Sequence, residues 1–384
     1  MDITKFGDRK TGKLLPIRLH SQEKDTAFVP DPLPPQWEFD PLLWPLLAEA
    51  KQALGLLDGT ARNLPNPNLL LSPLRTREAL TSSRLEGTYA TAQELLLFDL
   101  DPKEPKSPTD QTNAWREVSN YNRALALGFA GLDALPICIR LIKNLHATLL
   151  EGVRGAQATP GEFRAHQVHI GSDRRYVPPP PTEMEKCLHD LEEYLNAPDA
   201  RFDCLVRCLM VHYQFEAIHP FGDGNGRVGR VLLALMIQNL GNLKMPWLYL
   251  SPYFERYKDE YIDHMFRVST EGAWSKWIGF CLRGVIEQAR EAVHVCDALI
   301  TLKKGMHEKA MGGNGRIHGI VDDLFSHPYI RISDLGAKMG VTYHTARADV
   351  HFLIKKGILT ELPKVSPKTY VCPGIFEIAY GKGM

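Results

Sequence analysis

The chain carries no net charge, no apolar run long enough to cross a membrane, and no paired cysteines. Lys and Arg total 45 among 384 residues and Asp and Glu total 45, so overall charge points to neither nucleic acid nor an acidic partner. The seven cysteines, Cys138, Cys187, Cys204, Cys208, Cys281, Cys296 and Cys372, are odd in number, scattered, and free of any Cys-x-x-Cys pair. That pattern argues against a disulfide framework and for a reducing compartment. Cys204 and Cys208 lie one helical turn apart and read as part of a buried face, because free cysteine behaves as a small hydrophobe. The start, Met1-Asp2-Ile3-Thr4-Lys5, lacks the apolar core of an export signal. A soluble, cytoplasmic protein without membrane contact is expected.

Strand signal is also scarce. Residues 1–45 are proline-rich and aperiodic, with Pro30, Pro32, Pro34 and Pro35 close together, and read as an extended arm rather than a folded unit. Helical spacing of apolar residues then dominates. It predicts a helix over 42–57 closed by Gly59, a break at Pro65, Pro67 and Pro73, and a second helix over 76–86 closed by Gly87. Further helices are expected over 114–130, 137–150, 182–195, 202–215, 228–240, 253–268 and 274–302, with a loop at 99–110. Between them, Gln167-Val168-His169-Ile170-Gly171 alternates in the strand period and Arg175-Tyr176-Val177 can return, which predicts a short β-hairpin with a free edge for an extended peptide. Gly305, Gly312, Gly313 and Gly315 mark a junction. Beyond it, helices over 317–325, 332–339 and 343–356 and short strands at 357–359 and 370–371 have the spacing of a winged helix-turn-helix, a fold that can read DNA. The fold class expected is mainly α: a helical bundle with a short β-hairpin flap and a C-terminal winged helix. The boundaries expected are 1–110 for an N-terminal arm and helical region, 111–300 for a catalytic domain and 301–384 for the winged helix.

One run stands out against this helical background: His219-Pro220-Phe221-Gly222-Asp223-Gly224-Asn225-Gly226-Arg227-Val228-Gly229-Arg230. Gly224, Asn225 and Gly226 precede an apolar helix, so backbone N–H groups without intrahelical partners and the positive end of the macrodipole face whatever binds there. Arg227 and Arg230 are three residues apart and share a helix face, so both can point at one polyphosphate. Asp223 is a hard oxygen ligand suited to Mg²⁺, and His219, with an ordinary pKa of about 6.5, can take a proton from an attacking hydroxyl. Together they are the parts of a phosphoryl- or nucleotidyl-transfer site. Gly224–Gly229 formally matches G-x-G-x-x-G, but a helix and His-Pro-Phe precede it instead of a strand, which excludes a dinucleotide fold. No Gly-Lys-Ser/Thr closes the run, which excludes a P-loop. Upstream, Glu86 falls in the last turn of its helix, where the macrodipole disfavours an anion; it is either a solvent-facing carboxylate or one whose cationic partner lies elsewhere in the chain.

The run resembles the Fic-domain motif, H-P-F-x-[D/E]-G-N-G-R-x-x-R, at every specified position. Gly161-Glu162-Phe163-Arg164, with Val168 and Ile170, is similar to the family's flap, and Ser82-Ser83-Arg84-Leu85-Glu86-Gly87 fits its inhibitory motif, [S/T]-x-x-x-E-[G/N]. The resemblance covers roughly 25–290 and implies transfer of AMP from ATP to a Ser, Thr or Tyr hydroxyl of a target protein, or of the protein itself, by a nucleotidyltransferase that releases pyrophosphate. By position, His219 would be the base and Asp223 would hold Mg²⁺. Gly224, Asn225 and Gly226 would form the anion hole, Gly222 would also bind the nucleotide, and Arg227 would grip the γ-phosphate, as would Arg230 except when paired with the inhibitory glutamate. Tyr261 would lie near the adenine, and Gln167, Val168, His169 and Ile170 would bind the target. Ser82, Glu86 and Gly87 would belong to the inhibitory helix, with Glu86 paired to Arg230, as in the class with N-terminal intramolecular inhibition. Ile262 stands where a second Tyr is frequent, and Ser269 where Asn is common. A homodimer fits the same picture. Two further readings use the same residues: removal of AMP from a modified protein, and a DNA-binding regulator whose Fic-like domain senses nucleotide.

Overall fold

A computed structural model describes the whole chain except residues 19–23, 63–67, 108, 133–135, 154–158, 199–200 and 382–384. Two strands open it, β1 (Gly12–Arg18) and β2 (Lys24–Pro30), paired antiparallel from Gly12↔Pro30 to Arg18↔Lys24. The proline-rich arm is thus partly folded, contrary to the sequence expectation. Ala27, Phe28 and Val29 are buried, and the Phe28 N–H donates to the Val177 carbonyl at 2.8 Å. Burial against the helical core overrides the prolines, and Pro16 sits on an edge strand where its missing N–H can face outward.

The helical body follows. Its first half is α1 (Trp44–Arg62), α2 (Asn68–Leu85), α3 (Ala92–Leu100), α4 (Thr112–Gly131), α5 (Ile139–Leu149) and α6 (Pro181–Asn196). Its second half is α7 (Cys204–Ile218), α8 (Asn225–Leu240), α9 (Ser251–Arg256), α10 (Lys258–Glu271) and α11 (Trp274–Lys309). The adjacent helices α7 and α8 are apolar almost all round and bury nearly every residue, which puts the loop between them at the heart of the core. The long α11 is the spine, packed on α1, α7, α9 and α10.

Several boundaries differ from expectation for physical reasons. The α1 helix runs through Gly59, because its Leu47, Ala50, Leu54 and Leu57 face packs on α11 and a glycine costs a helix only about 1 kcal/mol. Pro73 lies inside α2, held by burial against α4 and α9, whereas Pro65 and Pro67 fall outside the described residues. The expected helix over 253–268 is split between α9 and α10 by a non-helical Tyr257. The α3 helix was not anticipated, although Thr91 and Glu94 form a capping box visible as Thr-x-x-Glu. The expected β-hairpin is reduced to a single antiparallel bridge, Ile170↔Tyr176, because Gly171 in the left-handed region and a 3₁₀ turn at Ser172–Arg174 leave no room for a longer ladder.

The C-terminal part has the order α12 (Gly315–Leu324), β3 (Tyr329–Ile330), α13 (Ile332–Met339), α14 (Tyr343–Lys355), β4 (Thr360–Glu361), β5 (Tyr370–Val371) and α15 (Pro373–Tyr380). Its three strands pair antiparallel as β3-β5-β4. Gly305 lies inside α11, and the chain turns instead at Gly312, whose φ is +87°. The α15 helix, signalled only by Pro373 at its first turn, packs back on α11 and α2. Fifteen α-helices and five short strands among the described residues make the fold mainly α.

The aromatic cluster of His212, Phe254, Tyr261, Trp277 and Phe280 joins α7, α9, α10 and α11. Trp277 is fully buried and donates its indole N–H to the Leu209 carbonyl at 3.0 Å. Trp277→Ala is expected to cost about 3–5 kcal/mol of stability, read as a lowered urea midpoint. A midpoint within error of the parent's would show that this cluster does not hold the bundle together.

Candidate active site

His219 ends α7 in the left-handed region, φ +51° and ψ +62°, with its N–H on the Phe215 carbonyl. That sharp turn ends one apolar helix and starts the loop to the next. Arg164 holds it there: Nε donates to the His219 carbonyl at 2.8 Å, and Nη2 donates to the Pro179 and Ile218 carbonyls. Burial, with the nearby Arg164 charge, pushes the His219 imidazole down to about 4, so it is neutral and proton-accepting at neutral pH. Its Nδ1 is buried without a hydrogen-bond partner.

The loop itself is closed by Asn225. Its Oδ1 accepts from the Phe221 N–H at 2.8 Å and its Nδ2 donates to the Phe221 carbonyl at 2.9 Å. Gly224 is the N-cap of α8 at φ +77°, offers no side-chain cap, and no acidic residue lies in the first turn. The N–H groups that begin α8 therefore stay available to an anion. His146 steadies the other side of the loop, stacked on Phe221 with ring centroids 3.8 Å apart. Its Nδ1 accepts from the Gly161 N–H at 2.9 Å, which leaves Nε2 to donate to the Asp223 carbonyl at 3.0 Å. The Asp223 carboxylate accepts from the Gly224 N–H and is more than half exposed, so most of its coordinating capacity faces solvent. Gly222 lies near His166, at the edge of the same loop.

The two arginines diverge. Arg227 turns toward α4, with Nη1 3.5 Å from Glu117 Oε2 and Nη2 3.7 Å from Asp223 Oδ1, and its Nε and Nη1 make no hydrogen bond. Arg230 turns toward α2: Nε donates to Ser82 Oγ at 2.8 Å, and Nη2 donates to the Ser82 carbonyl at 3.0 Å and to Glu86 Oε1 at 2.7 Å. Burial alone would raise the Glu86 pKa, but the Arg230 charge and hydrogen bond hold it below the usual carboxylate range. Glu86 reaches this position because Gly226 has no side chain, since a Cβ there would lie 2.2 Å from Glu86 Oε1. Just past the end of α2, Gly87 adopts φ +83°, and Lys258 Nζ donates to the Leu85 carbonyl at the helix C-terminus.

A cavity of about 370 Å³ opens beside this cluster, lined among others by Glu86, His219, Gly226, Arg230, Tyr261 and Ile170. Tyr261 is buried, stacked on Phe254, with its hydroxyl bonded to His212 Nε2 at 2.9 Å. His212 is satisfied inside the core, with Nδ1 on the Gly229 carbonyl. Ser269 Oγ bonds the Tyr213 hydroxyl at 2.8 Å. Of the flap residues, Ile170 lines the cavity, while Gln167 turns inward to donate to the Val168 and Pro178 carbonyls.

Sequence reasoning missed three contributors. Glu78 lies one turn before Ser82 and two before Glu86 on the same face of α2, and its buried carboxyl accepts from the Tyr121 and Ser251 hydroxyls. The spacing of Glu78, Ser82 and Glu86 was its signal. Arg164 stood inside a run already singled out, but nothing marked it as the tether of His219. His146, distant in sequence, carried no local signal.

Residues 44–130 match the Fic/DOC family N-terminal model and 136–237 match the Fic/DOC family model. A protein from Aedes aegypti called protein adenylyltransferase Fic is 30% identical over 38% of this chain and 27% of its own length. Its namesake from Drosophila willistoni is 33% identical over 33% of this chain and 26% of its own length. The chain thus spans about a quarter of the length of these curated relatives. Among solved structures, a Fic family protein from Desulfovibrio desulfuricans G20 superposes with a TM-score of 0.56 at 21% identity, over 91% of this chain and 98% of its own. Fic-1 of C. elegans (residues 134–508) superposes with a TM-score of 0.55 at 20% identity, over 68% and 75%. At those identities the superpositions speak to the fold alone. With both models matched in tandem, the chain carries a Fic/DOC N-terminal region over 44–130 followed by a Fic/DOC domain over 136–237.

Proposed function

We propose that the protein is a self-inhibited adenylyltransferase that moves AMP from ATP onto a Ser, Thr or Tyr hydroxyl of a protein. The observation that carries this reading is the Glu86 carboxylate, seated on Arg230 in the space left by Gly226, beside a base and an open helix N-terminus. In the transfer, the target hydroxyl oxygen bonds to the α-phosphorus, the bond from that phosphorus to the bridging oxygen breaks, and pyrophosphate leaves. His219, neutral because buried, takes the hydroxyl proton. The N–H groups at the start of α8 hold the developing phosphate charge. Arg227, with unfilled donors, and Arg230, once Glu86 leaves it, clamp the terminal phosphates.

Among the described residues no three His, Cys, Asp or Glu side chains converge to form a protein-only metal centre. The single exposed Asp223 carboxylate suits Mg²⁺, which keeps several waters and takes phosphate oxygens, and such an ion would neutralise charge on the phosphates. Tyr261 would border the base. Gln167, Val168, His169 and Ile170, tied at one end by the Ile170↔Tyr176 bridge, would offer extended backbone to a target segment.

Inhibition follows from charge. While Glu86 occupies Arg230, the guanidinium is unavailable and a second anion beside it is repelled. Glu86→Gly is expected to raise transfer of labelled AMP roughly tenfold or more, the factor that about 1.4 kcal/mol of relieved competition supplies. Transfer no higher than in the parent would sink the inhibitory role. In that background His219→Ala should lower the rate by about 10²–10⁴ while leaving ATP affinity within a few-fold, because a general base adds rate and not binding. Loss of ATP binding in step with the rate would instead make His219 a ligand.

A second activity is favoured for the C-terminal part by one observation. The single acidic residue of α14, Asp349, is buried and held by Arg316 at 2.6 and 3.2 Å, so the exposed side of this helix, with Tyr343, His344, Arg347, His351 and Lys355, carries no carboxylate. Such a face suits the major groove of DNA. Full-length protein should bind duplex DNA with an affinity that falls steeply with salt, and Arg347→Ala should reduce that slope by about one phosphate contact. A salt-independent affinity would remove the DNA reading.

A further inference from the structure

Arg230 faces more carboxylate than its contact with Glu86 requires. Glu78 approaches from α2 but is spoken for by Tyr121 and Ser251. Glu216 approaches from the last turn of α7, one turn before His219, and the proposed chemistry gives it no role. It lines the same cavity as Glu86, His219 and Arg230, yet its Oε1 is buried without a hydrogen-bond partner. Its niche is made by a glycine, since a Cβ at Gly229 would lie 2.1 Å from Glu216 Oε1. The other polar groups on the cavity wall are engaged: Tyr213 with Ser269, Tyr261 with His212, Lys258 with the Leu85 carbonyl, and Arg175 with Asp263.

We infer that Glu216 stays protonated when nucleotide replaces Glu86, and donates its O–H to a phosphate oxygen held beside Arg230. This rests on the nucleotide reading of the site. The argument is one of charge balance. Arg230 supplies a single positive charge, which Glu86 balances in the closed state. A phosphate that takes the place of Glu86 brings at least as much negative charge. An ionised Glu216 would then be a second anion against one guanidinium in a confined space, whereas a neutral carboxyl turns that repulsion into a hydrogen bond. The groups around it favour the neutral form. Glu86 adds negative charge, the hydroxyls of Tyr213 and Tyr261 are neutral, and burial keeps the imidazoles of His212 and His219 neutral as well. Arg230 alone pulls the other way at close range, while Lys258 and Arg175 are held by their own partners. Burial is the larger effect, and it pushes the Glu216 carboxyl up to about 7.

The sign follows. A protonated Glu216 is present below its pKa and lost above it, so nucleotide affinity should fall as pH rises through neutrality. The test uses full-length Glu86→Gly protein as parent and measures ATP affinity by calorimetry from pH 5.5 to 8.5, with and without Glu216→Gln. Glutamine is close in shape and can donate at every pH. Ionisation of ATP itself cancels in the ratio of the two dissociation constants. That ratio, parent over Gln variant, should stay near unity at the acid end and climb to about thirtyfold or more at pH 8.5, approaching a factor of ten per pH unit once Glu216 is ionised in the free protein. Because the parent lacks Glu86, one of the charges that raises Glu216, the climb should begin at or below pH 7. Gly229→Ala gives an independent arm. It evicts the carboxyl from its niche into solvent, so Glu216 ionises early and affinity should be weak with no break near neutrality. A ratio independent of pH, or a Gly229→Ala profile with the parent's slope, overturns the role of Glu216 while leaving the nucleotide site standing. Failure of the Glu86→Gly parent to bind ATP at any pH overturns both.

Discussion

Burying a guanidinium is the constraint around which this site is built. Arg230 is almost wholly inside the protein, and an unpaired charge there would cost several kcal/mol. Ser82 of α2 meets its needs through both hydroxyl and carbonyl, and Glu86, just past the end of α2, through its carboxylate. The same contacts place α2 against α8, so the segment that blocks Arg230 is also part of what positions it. Glu86 itself lies at the negative end of its helix, an unfavourable place for an anion. The charge of Arg230 offsets that cost, and Lys258 on the Leu85 carbonyl reduces it further.

The glycines of the loop motif contribute space as much as backbone freedom. Gly224 needs its positive φ to turn into α8. Gly226 and Gly229 are ordinary helical residues, and the volume of their absent side chains is filled by the carboxyl groups of Glu86 and Glu216. Backbone N–H groups at the start of α8 and acidic side chains a turn away thus share one small region. That proximity is what lets a carboxylate of the protein stand where an anion of the ligand would go.

The contiguous part of the site was legible because its chemistry is written in one run, and glycines before an apolar helix imply an open N-terminus whatever the fold. The partner of Glu86 was legible only through likeness to a known motif, since no local pattern joins residues so far apart. Arg164 and His146 act through backbone carbonyls of the loop, contacts that depend on tertiary approach and leave no spacing to detect. The fold shows the same division. Long amphipathic helices were found from their period, whereas the β1–β2 arm was misjudged because its strands are ordered by burial on the core and not by their own pattern. The flap was over-read for the opposite reason: its alternation is real, but a tight turn admits only one bridge.

The C-terminal part bears on α2 as well. Tyr380 of α15 shares a hydrogen bond with Thr76, and Ser72 Oγ donates to the Ser326 carbonyl, both on the first half of α2. Farther along, Glu78 and Ser82 are fixed by α4, α8 and α9. An α-helix is stiff over a length of about 27 Å, the span of an element this long, so these attachments locate the whole of it. Glu86 is different: it follows Leu85, the last helical residue, and precedes a glycine in the left-handed region. It can therefore leave Arg230 by rotation of its own side chain and the short turn behind it, with Ser82 still on the guanidinium and the core undisturbed. Under the proposed function, an exchange of that kind would break one charged hydrogen bond and let an incoming anion make another, so a site this deeply packed could still be opened.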